Sequence, residues 1–319
     1  MCYGLDDDRA HALARAGRAP SRRSLLRGAA FGALGAGALA AGVAGAPAAA
    51  AARRPGGGRI RIPKDRISIQ LYTVRDALNG DPGFDASLRH IAGLGYPRVE
   101  QALGFFGRTA DELRSFYRSL GIRATSSHND ISADDAALET KLADARALGQ
   151  SYLNVPYLAS EVADDWRRWA ERMNHEAALA RRYGLRYGYH NHAHEFTTDL
   201  GGGLTPWDIL TRELDPRLVH LEIDIYWAVT GGIETGAADP EGFAVDVIRS
   251  APQRVLQYHV KDRDPATGDM ADPGTGMIDF ARIFRAHQVR EYIVENDTPD
   301  VTPLRSAEVG YAYLRDFRC

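Results

Sequence analysis

The sequence predicts one α/β domain, a (β/α)8 TIM barrel, preceded by an export leader. Two observations predict the barrel. From Ile67 onward, apolar runs of strand length alternate with amphipathic stretches of helix length, and the alternation repeats eight times within about 250 residues. No Gly-rich G-x-G-x-x-G turn follows the first strand, which disfavours the rival fold, an open doubly wound sheet that binds a nucleotide.

The predicted strands and helices follow one another in strict alternation. The strands end near Tyr72, Gln101, His128, Val155, His192, Asp224, Lys261 and Asn296. The helices cover residues 83–94, 109–120, 133–148, 162–183, 205–213, 240–250, 278–287 and 303–317. Four of these helices are followed by a glycine where a left-handed C-terminal residue is needed, namely Gly95, Gly121, Gly149 and Gly184.

Composition and charge exclude several classes of protein. The chain has 319 residues, of which 45% are hydrophobic and 25% charged, as in soluble globular proteins. The 39 Lys and Arg residues against 42 Asp and Glu give a formal net charge of -3, without the basic excess of a nucleic-acid binder. The two cysteines, Cys2 and Cys319, stand at opposite ends, so a bound metal must use oxygen and nitrogen ligands. We expect a small-molecule partner, and homo-oligomerisation stays open.

The N-terminal segment is interpreted as a twin-arginine-type signal peptide. Arg22 and Arg23 stand before two leucines, and an Ala/Gly tract follows. The tract is long enough for a membrane span, yet Ala and Gly dominate it, so we expect cleavage near Ala50 and no stable membrane anchor. The protein is therefore predicted to be exported, to the periplasm or the medium. The predicted divisions are a signal peptide at 1–52, a linker at 53–66 and the barrel at 67–319.

Strand parity places polar side chains inside the barrel. Side chains alternate between the two faces of a strand. The face toward the helices receives Tyr187, Tyr189, Val219, Leu221, Ile223, Leu256, Tyr258, Val260, Tyr292 and Val294. The inward face receives His190, His192, His220, Glu222, Asp224, Gln257, His259, Lys261, Ile293 and Glu295. Because barrel interiors normally hold branched apolar residues, and a buried unpaired charge is costly, this cluster needs compensation.

A divalent cation would provide that compensation. Carboxylates and imidazoles at four neighbouring strand ends are ligands for a hard or borderline divalent metal. The candidate ligands are His190, His192, Asp224, His259 and Glu295. Taken singly, each residue also has a structural interpretation, either as a hydrogen-bonded core histidine or as a carboxylate paired with Lys261 or an arginine.

Two residues are candidates for the chemistry itself. Glu295, an inward carboxylate, is the first choice for a general base. Lys261 is expected to donate a hydrogen bond to an oxyanion on the substrate, and its alternative is an ion pair with Asp262 or Glu222. The long segment 262–277, rich in Asp, Gly and Pro, is interpreted as a lid.

The other candidates surround this centre. Glu195 is either a second acid/base group or the carboxylate that holds His192 or His194 in one tautomer. Six residues are expected to contact the substrate: Gln70, Tyr72, Glu100, His128, Glu222 and Trp227.

Five segments resemble a known family. These are residues 69–75 (IQLYTVR), 189–196 (YHNHAHEF), 221–227 (LEIDIYW), 258–262 (YHVKD) and 293–296 (IVEN). They are similar to sugar phosphate isomerase/epimerase proteins of the xylose isomerase-like TIM barrel superfamily, and the resemblance covers residues 67 to about 317. It implies one divalent metal, manganese first and zinc, magnesium or cobalt as alternatives, held by Glu, Asp, His and Glu. Asp224, His259 and Glu295 match the last three positions. His190 stands in place of the first Glu, with His192 as the competing ligand.

The resemblance and the residues together imply a function. A cation bound to the carbonyl and neighbouring hydroxyl of a ketose acidifies the C–H between them by stabilising an enediolate. The sequence thus predicts a metal-dependent sugar isomerase or epimerase. The alternative is a metal-dependent lyase or dehydratase on oxidised (keto) sugars or glycosides, which export and the missing Glu favour. The second alternative is a sugar-binding barrel without catalysis.

Overall fold

The barrel predicted from the sequence is confirmed. A computed structural model describes residues 59–319, and the predicted signal peptide with the first part of the linker lies outside this range. Within it, eight parallel strands form one sheet. They are β1 (Ile67–Gln70), β2 (Arg98–Gln101), β3 (Arg123–Ser127), β4 (Tyr152–Val155), β5 (Arg186–His190), β6 (Val219–Asp224), β7 (Arg254–Val260) and β8 (Glu291–Val294).

The sheet closes on itself. Its hydrogen-bonded order is β3-β2-β1-β8-β7-β6-β5-β4, so β3 and β4 lie at its two edges. A parallel bridge joins His128 to Asn154, and the Ser151 N–H donates to the Thr125 carbonyl at 2.8 Å. These contacts connect the two edges, and the carboxyl ends of all eight strands therefore meet at one mouth, where barrel active sites lie.

The eight predicted helices are all present. They span Phe84–Leu94, Ala110–Ser119, Asp135–Leu148, Ala163–Arg182, Pro206–Glu213, Pro240–Ser250, Phe280–Ala286 and Pro303–Asp316. Three further short helices, Arg75–Asn79, His194–Thr197 and Ile225–Glu234, follow β1, β5 and β6. In the described part of the chain, no helix combines the length and the apolar character that crossing a bilayer requires.

The helix Ile225–Glu234 was not predicted from the sequence. It begins directly at the end of β6, because the Asp224 carboxylate accepts a hydrogen bond from the Trp227 N–H at 2.9 Å and caps the first turn. Its first eight residues are all buried. A helix buried on every side shows no amphipathic period, so the sequence pattern could not reveal it.

The second half of the predicted linker belongs to the folded domain. The Ile60 N–H donates to the Cys319 carbonyl at 2.9 Å, and the Cys319 N–H donates back to Ile60 at 3.3 Å. Ile62 is buried, and Lys64–Arg66 form a 3-10 turn before β1. The N-terminal edge of the barrel is thus joined to the C-terminus of the chain.

Strand parity holds with one local exception. The residues predicted to face the helices belong to the hydrophobic core, whereas His190, Glu222, Asp224, Gln257, His259 and Lys261 lie buried as polar groups. The exception is Leu256, since the core contains Val255 in its place. The register between β6 and β7 shifts after Leu221, from Val255 to Gln257, and this bulge changes the parity of β7 at that point.

The segment 262–277, predicted as a lid, contains a short hairpin. Two short antiparallel strands, Asp262–Arg263 and Met270–Ala271, pair with each other. The buried Asp262 carboxylate accepts hydrogen bonds from the backbone N–H groups of Gly274, Gly276 and Ile278 at 2.9 to 3.1 Å. Gly276 is required there, because a Cβ would lie 2.4 Å from Asp262 Oδ1.

Candidate active site

Three predicted metal ligands converge at the mouth of the barrel. Asp224 ends β6, His259 stands near the end of β7, and Glu295 follows β8. All three are buried, and their ligand atoms lie within 4.8 Å of one another. His259 Nδ1 lies 2.6 Å from Glu295 Oε2. Burial raises the pKa of Asp224, although the ammonium of Lys261 opposes the rise.

Lys261 lies among the carboxylates of this group. Its Nζ is 2.8 Å from Glu295 Oε2, 2.8 Å from Asp297 Oδ2 and 3.2 Å from Asp224 Oδ2. The contacts with Asp224 and Glu295 agree with the structural interpretation given from the sequence, in which a carboxylate pairs with Lys261. The other two expected partners are engaged elsewhere, since Asp262 accepts from the backbone of the hairpin and Glu222 bonds to His128 and Asn154. Only 1% of Lys261 is exposed, so its charge is neutralised by these acidic neighbours and not by water.

A second group of potential ligands lies beside the first. It contains His128, His190, Glu222 and His259. Glu222 Oε2 is 2.8 Å from His128 Nε2, 3.3 Å from His190 Nδ1 and 3.4 Å from His259 Nε2. His259 therefore belongs to both groups, with Nδ1 2.6 Å from Glu295 and Nε2 2.6 Å from Glu100 and 3.4 Å from Glu222.

His190 lies closer to the candidate ligands than His192. His190 Nε2 is 3.8 Å from Asp224 Oδ2. Burial holds the pKa of His190 well below its usual value, and the neighbouring His259 and His128 lower it further, so the ring is neutral as a metal ligand must be. His192 packs its ring against Trp227 and Tyr157, with ring centroids 5.2 Å apart in both cases, and belongs to neither group of candidate ligands in residues 59–319.

His128 and Glu222 form a close pair, with His128 Nε2 2.8 Å from Glu222 Oε2. Burial raises the pKa of Glu222 to about 8, and the neighbouring Glu100 carboxylate adds to this rise. Burial lowers the pKa of His128, but the carboxylates of Glu100 and Glu222 outweigh burial and raise it to about 9. The His128 side chain is 12% exposed, whereas that of Glu222 is fully buried, so His128 is the member of the pair that faces the mouth.

Five buried carboxyl groups lie around this centre. In the described residues they are Glu100, Glu222, Asp224, Glu295 and Asp297. The basic groups among them are Lys261, His128 and His259, and although burial lowers the pKa values of the two histidines, these carboxylates raise them overall. A buried charge without a partner costs several kcal/mol. The donor set of carboxylates and imidazoles fits a divalent cation.

Glu195 is buried, and both of its carboxylate oxygens accept hydrogen bonds from the protein. Its Oε1 accepts a hydrogen bond from Tyr189 Oη at 2.6 Å, and its Oε2 accepts one from the His192 N–H at 2.8 Å. His194 Nδ1 lies 3.6 Å from the same carboxylate. The sequence-based alternative has Glu195 hold the ring of His192 or His194 in one tautomer. The structure places the carboxylate on the backbone N–H of His192, with the His194 ring at 3.6 Å.

The remaining candidates for substrate contact divide into two sets. Gln70 and Glu100 bond to each other at 2.8 Å, below the mouth. Tyr72 and Trp227 each lie beside a basic side chain. The Arg75 guanidinium stacks on Tyr72 at 4.1 Å, and Lys261 Nζ lies 5.7 Å from the Trp227 ring.

Three residues of the centre were missed in the sequence analysis. Asn154 on β4 donates to Glu222 at 2.8 Å and to Gln257 at 3.0 Å, and Ser126 on β3 donates to Glu100 at 2.6 Å. Asp297 pairs with Lys261. The sequence pattern could have indicated two of these residues. Asn154 interrupts an apolar strand at an inward position, and Asp297 has the same parity as Glu295.

Comparisons with known proteins agree with this architecture. An inosose dehydratase of Bacillus licheniformis is 26% identical over 212 residues, which cover 58% of this chain and 64% of the relative. The match thus spans less than two thirds of that relative's length. A crystal structure described as a sugar phosphate isomerase/epimerase from Parabacteroides distasonis superposes with a TM-score of 0.63 at 22% identity, covering 79% of this chain and 94% of the other.

A third protein brings a metal into the comparison. The crystal structure described as the IOLI protein with a bound zinc atom superposes with a TM-score of 0.58 at 14% identity, covering 78% of this chain and 96% of the other. The sequence profile of the xylose isomerase-like TIM barrel family matches residues 88–314, most of the described barrel. By its fold and by this match, the chain belongs to the xylose isomerase-like TIM barrel family.

Proposed function

We propose that this protein is a metal-dependent lyase that acts on a keto sugar or a keto-glycoside. The reaction removes a proton from the carbon next to a carbonyl and expels a substituent from the following carbon. The observation that carries the proposal is the convergence of Asp224, His259 and Glu295 with Lys261 and the exposed edge of His128. The similarity to an inosose dehydratase supports a lyase over an isomerase.

A divalent cation is proposed to be held by Asp224, His259, Glu295 and His190. The first three ligand atoms lie together, and His190 Nε2 lies 3.8 Å from Asp224. Manganese is our first candidate, and the zinc described for a structural neighbour makes zinc the second. When bound, the cation polarises the substrate carbonyl and stabilises the negative charge that develops on its oxygen.

Glu295 is proposed as the general base. Its Oε2 lies on the side of the other candidate ligands, 2.6 Å from His259 Nδ1 and 2.8 Å from Lys261 Nζ, so we assign proton removal to Oε1. The C–H electron pair then forms the enolate, and Lys261 donates a hydrogen bond to the enolate oxygen. A positioned donor in a site that excludes water is effective for this purpose.

His128 is proposed as the general acid. It is the partly exposed member of its pair with Glu222, which holds its Nε2 at 2.8 Å. As the carbon–oxygen bond to the substituent breaks, His128 protonates the departing oxygen, and the enolate electrons form the new double bond. The products are an unsaturated ketone and either water or an alcohol, which balances atoms and charge.

A sugar isomerase or epimerase is the second candidate function. The likeness in fold to a structure described as a sugar phosphate isomerase/epimerase favours it. The same enolate forms in that reaction, but it is reprotonated and nothing is expelled. The two functions therefore share their first step and differ in their product.

The test uses the full chain loaded with Mn²⁺ in deuterated buffer. We would incubate it with a panel of ketoses, keto sugars and keto-glycosides, and follow deuterium uptake and products by NMR and mass spectrometry. The lyase predicts loss of the substituent, whereas a rearranged or epimerised sugar would decide for the second candidate. If no member of the panel reacts but the protein still binds a sugar, the remaining function is that of a sugar-binding barrel without catalysis. Glu295→Gln should abolish deuterium uptake while a bound cation is retained at higher metal concentration.

Export through the twin-arginine route is proposed as well. It rests on the Arg22-Arg23 pair and the Ala/Gly tract that follows it. An exported enzyme would meet non-phosphorylated sugars and glycosides, which agrees with the class of substrate proposed above.

A further inference from the structure

Glu100 lies below the candidate metal ligands, on β2. It is fully buried, and its Oε2 lies 2.6 Å from His259 Nε2. The same oxygen accepts a hydrogen bond from Gln70 Nε2 at 2.8 Å. The other oxygen, Oε1, accepts from Ser126 Oγ at 2.6 Å and lies 3.4 Å from Asn154 Nδ2.

These contacts occupy the carboxylate of Glu100. An ionised carboxylate offers about four lone-pair sites. Four protein groups are within 3.4 Å of this one, and His128 Nε2 lies 3.5 Å from its Oε2. The sequence analysis placed Glu100 among the substrate contacts. A carboxylate that is buried and surrounded by protein donors has no site left for a substrate hydroxyl, so its role must be exerted through one of its protein partners.

His259 is the partner that connects Glu100 to the chemistry. The His259 ring is fully buried and stacks on His128, with ring centroids 5.1 Å apart and ring planes 9° apart. Its two nitrogens point to two different carboxylates, Nε2 to Glu100 and Nδ1 to Glu295, each at 2.6 Å. The ring is therefore held in one orientation from three sides.

We infer that Glu100 is a positioning residue that holds the Nε2–H of His259, so that Nδ1 is the nitrogen available to a metal between Asp224 and Glu295. This inference rests on the proposed function, because it takes the cation to bind at that group. A histidine that ligates a metal through one nitrogen keeps its proton on the other, and a carboxylate that accepts this proton fixes the tautomer and makes the ligand more basic.

Glu222 is a weaker candidate for the same role. Its Oε2 lies 3.4 Å from His259 Nε2, beyond good hydrogen-bonding distance, and accepts from His128 at 2.8 Å. Its Oε1 accepts from Asn154 at 2.8 Å. Because Glu100 Oε2 lies 2.6 Å from His259 Nε2 and Glu222 Oε2 lies 3.4 Å from it, we assign the hydrogen bond of His259 Nε2 to Glu100.

The first experiment measures metal affinity without turnover. Metal-free full-length protein would be titrated with Mn²⁺ or Zn²⁺ alone by calorimetry, as wild type, Glu100→Gln and the control Glu291→Gln. Glu291 is also a buried inward carboxylate, but it bonds to Thr125 at the opposite end of the barrel. We expect Glu100→Gln to weaken binding by about 10 to 100-fold, the usual effect of removing such a partner, and the control to bind like wild type.

The second experiment needs no variant of Glu100. Zn²⁺-loaded wild type with ¹⁵N-labelled histidine should show a protonated Nε2 and a metal-bound Nδ1 for His259, assigned with a His259→Gln variant. A metal-bound Nε2, or an affinity of Glu100→Gln within threefold of wild type, would overturn the inference while leaving the metal site intact. Absence of any binding by wild type would overturn the proposed metal site itself and this inference with it.

Discussion

The ammonium of Lys261 lies 2.8 Å from Oε2 of Glu295, inside the group of carboxylates that we assign to the metal. The same ammonium reaches Asp224 at 3.2 Å. A cation and a lysine cannot both neutralise these two oxygens at full strength, because like charges a few ångströms apart repel each other, by about 4 kcal/mol at 4 Å for an effective dielectric constant of 20. Lys261 also contacts Asp297, which gives the ammonium a partner when the metal binds.

Replacing Lys261 should therefore tighten metal binding and reduce turnover. We expect Lys261→Met to lower the Kd for Mn²⁺ at least about tenfold, since one repelling charge is removed from the site, and to slow elimination because the enolate loses a hydrogen-bond donor. Calorimetry with the metal alone measures the first effect. Lys141→Met is the matched control, because Lys141 pairs with Glu176 outside the metal site. Unchanged or weaker binding by Lys261→Met would contradict the competition.

Asp224 has two roles that substitutions can separate. Its Oδ2 faces Lys261, and its Oδ1 caps the helix Ile225–Glu234 through the Trp227 N–H. Asp224→Asn should keep the cap and weaken metal binding by more than tenfold, because the ligand loses its charge. Asp224→Ala should also lower the free energy of unfolding of the metal-free protein by about 1 kcal/mol, the usual value of an N-cap.

Urea unfolding of the metal-free variants, together with metal titration, checks both effects of Asp224. Equal stability of the Asn and Ala variants would refute the cap. Wild-type metal affinity in Asp224→Asn would remove Asp224 from the ligands.

The barrel can be predicted from the sequence because the pattern of apolar and polar residues repeats with the period of each strand and helix. Strands alternate with period two, so the inward positions of Glu222, Asp224 and His259 follow from the order of residues alone. The same periodicity fails at Leu256, where a register shift between neighbouring strands changes the parity. A bulge depends on the partner strand, which lies elsewhere in the sequence.

The contacts inside the site were harder to predict than its location. The sequence leaves the partner of Lys261 open among Asp262, Glu222, Asp224 and Glu295. The structure shows contacts with Asp224 and Glu295, whereas the Asp262 carboxylate is directed to the backbone of the hairpin. The role of Glu100 depends on contacts with Gln70, Ser126 and His259 from three other strands. Sequence indicates which face a side chain occupies, whereas its partner is decided by three-dimensional packing.

The twin-arginine prediction concerns the segment outside the described residues and is tested directly. Substituting Arg22 and Arg23 by lysine keeps the charge but removes the guanidinium pair that the signal resembles. We expect the wild-type chain to be exported and shortened near Ala50 in a host with this pathway, and the double variant to remain inside at full length. Cell fractionation with N-terminal sequencing measures both. Export of the double variant would exclude the twin-arginine route.

Glu291 predicts a pH dependence of stability that is independent of the catalytic proposal. Burial raises the pKa of Glu291 to about 7, although Arg98 at 3.7 Å opposes the rise. The unfolded chain has the ordinary carboxyl pKa of about 4.3. Between these values the folded state holds the proton that the unfolded state has released, so this residue makes the fold less stable as pH rises from about 4.5 to 7. Above pH 7 Glu291 is ionised in both the folded and the unfolded chain, so the free energy of unfolding falls no further because of this residue.

Glu291→Gln removes this titration and should gain stability relative to wild type across that window. A pKa difference of about two to three units corresponds to roughly 3 kcal/mol. Urea unfolding of both proteins between pH 4.5 and 8 measures the difference in free energy, which should be smallest at pH 4.5, grow as pH rises and level off above pH 7. Because the comparison uses one substitution, the titration of all other groups cancels to first order. A difference that stays constant with pH would show that Glu291 ionises normally in the folded protein.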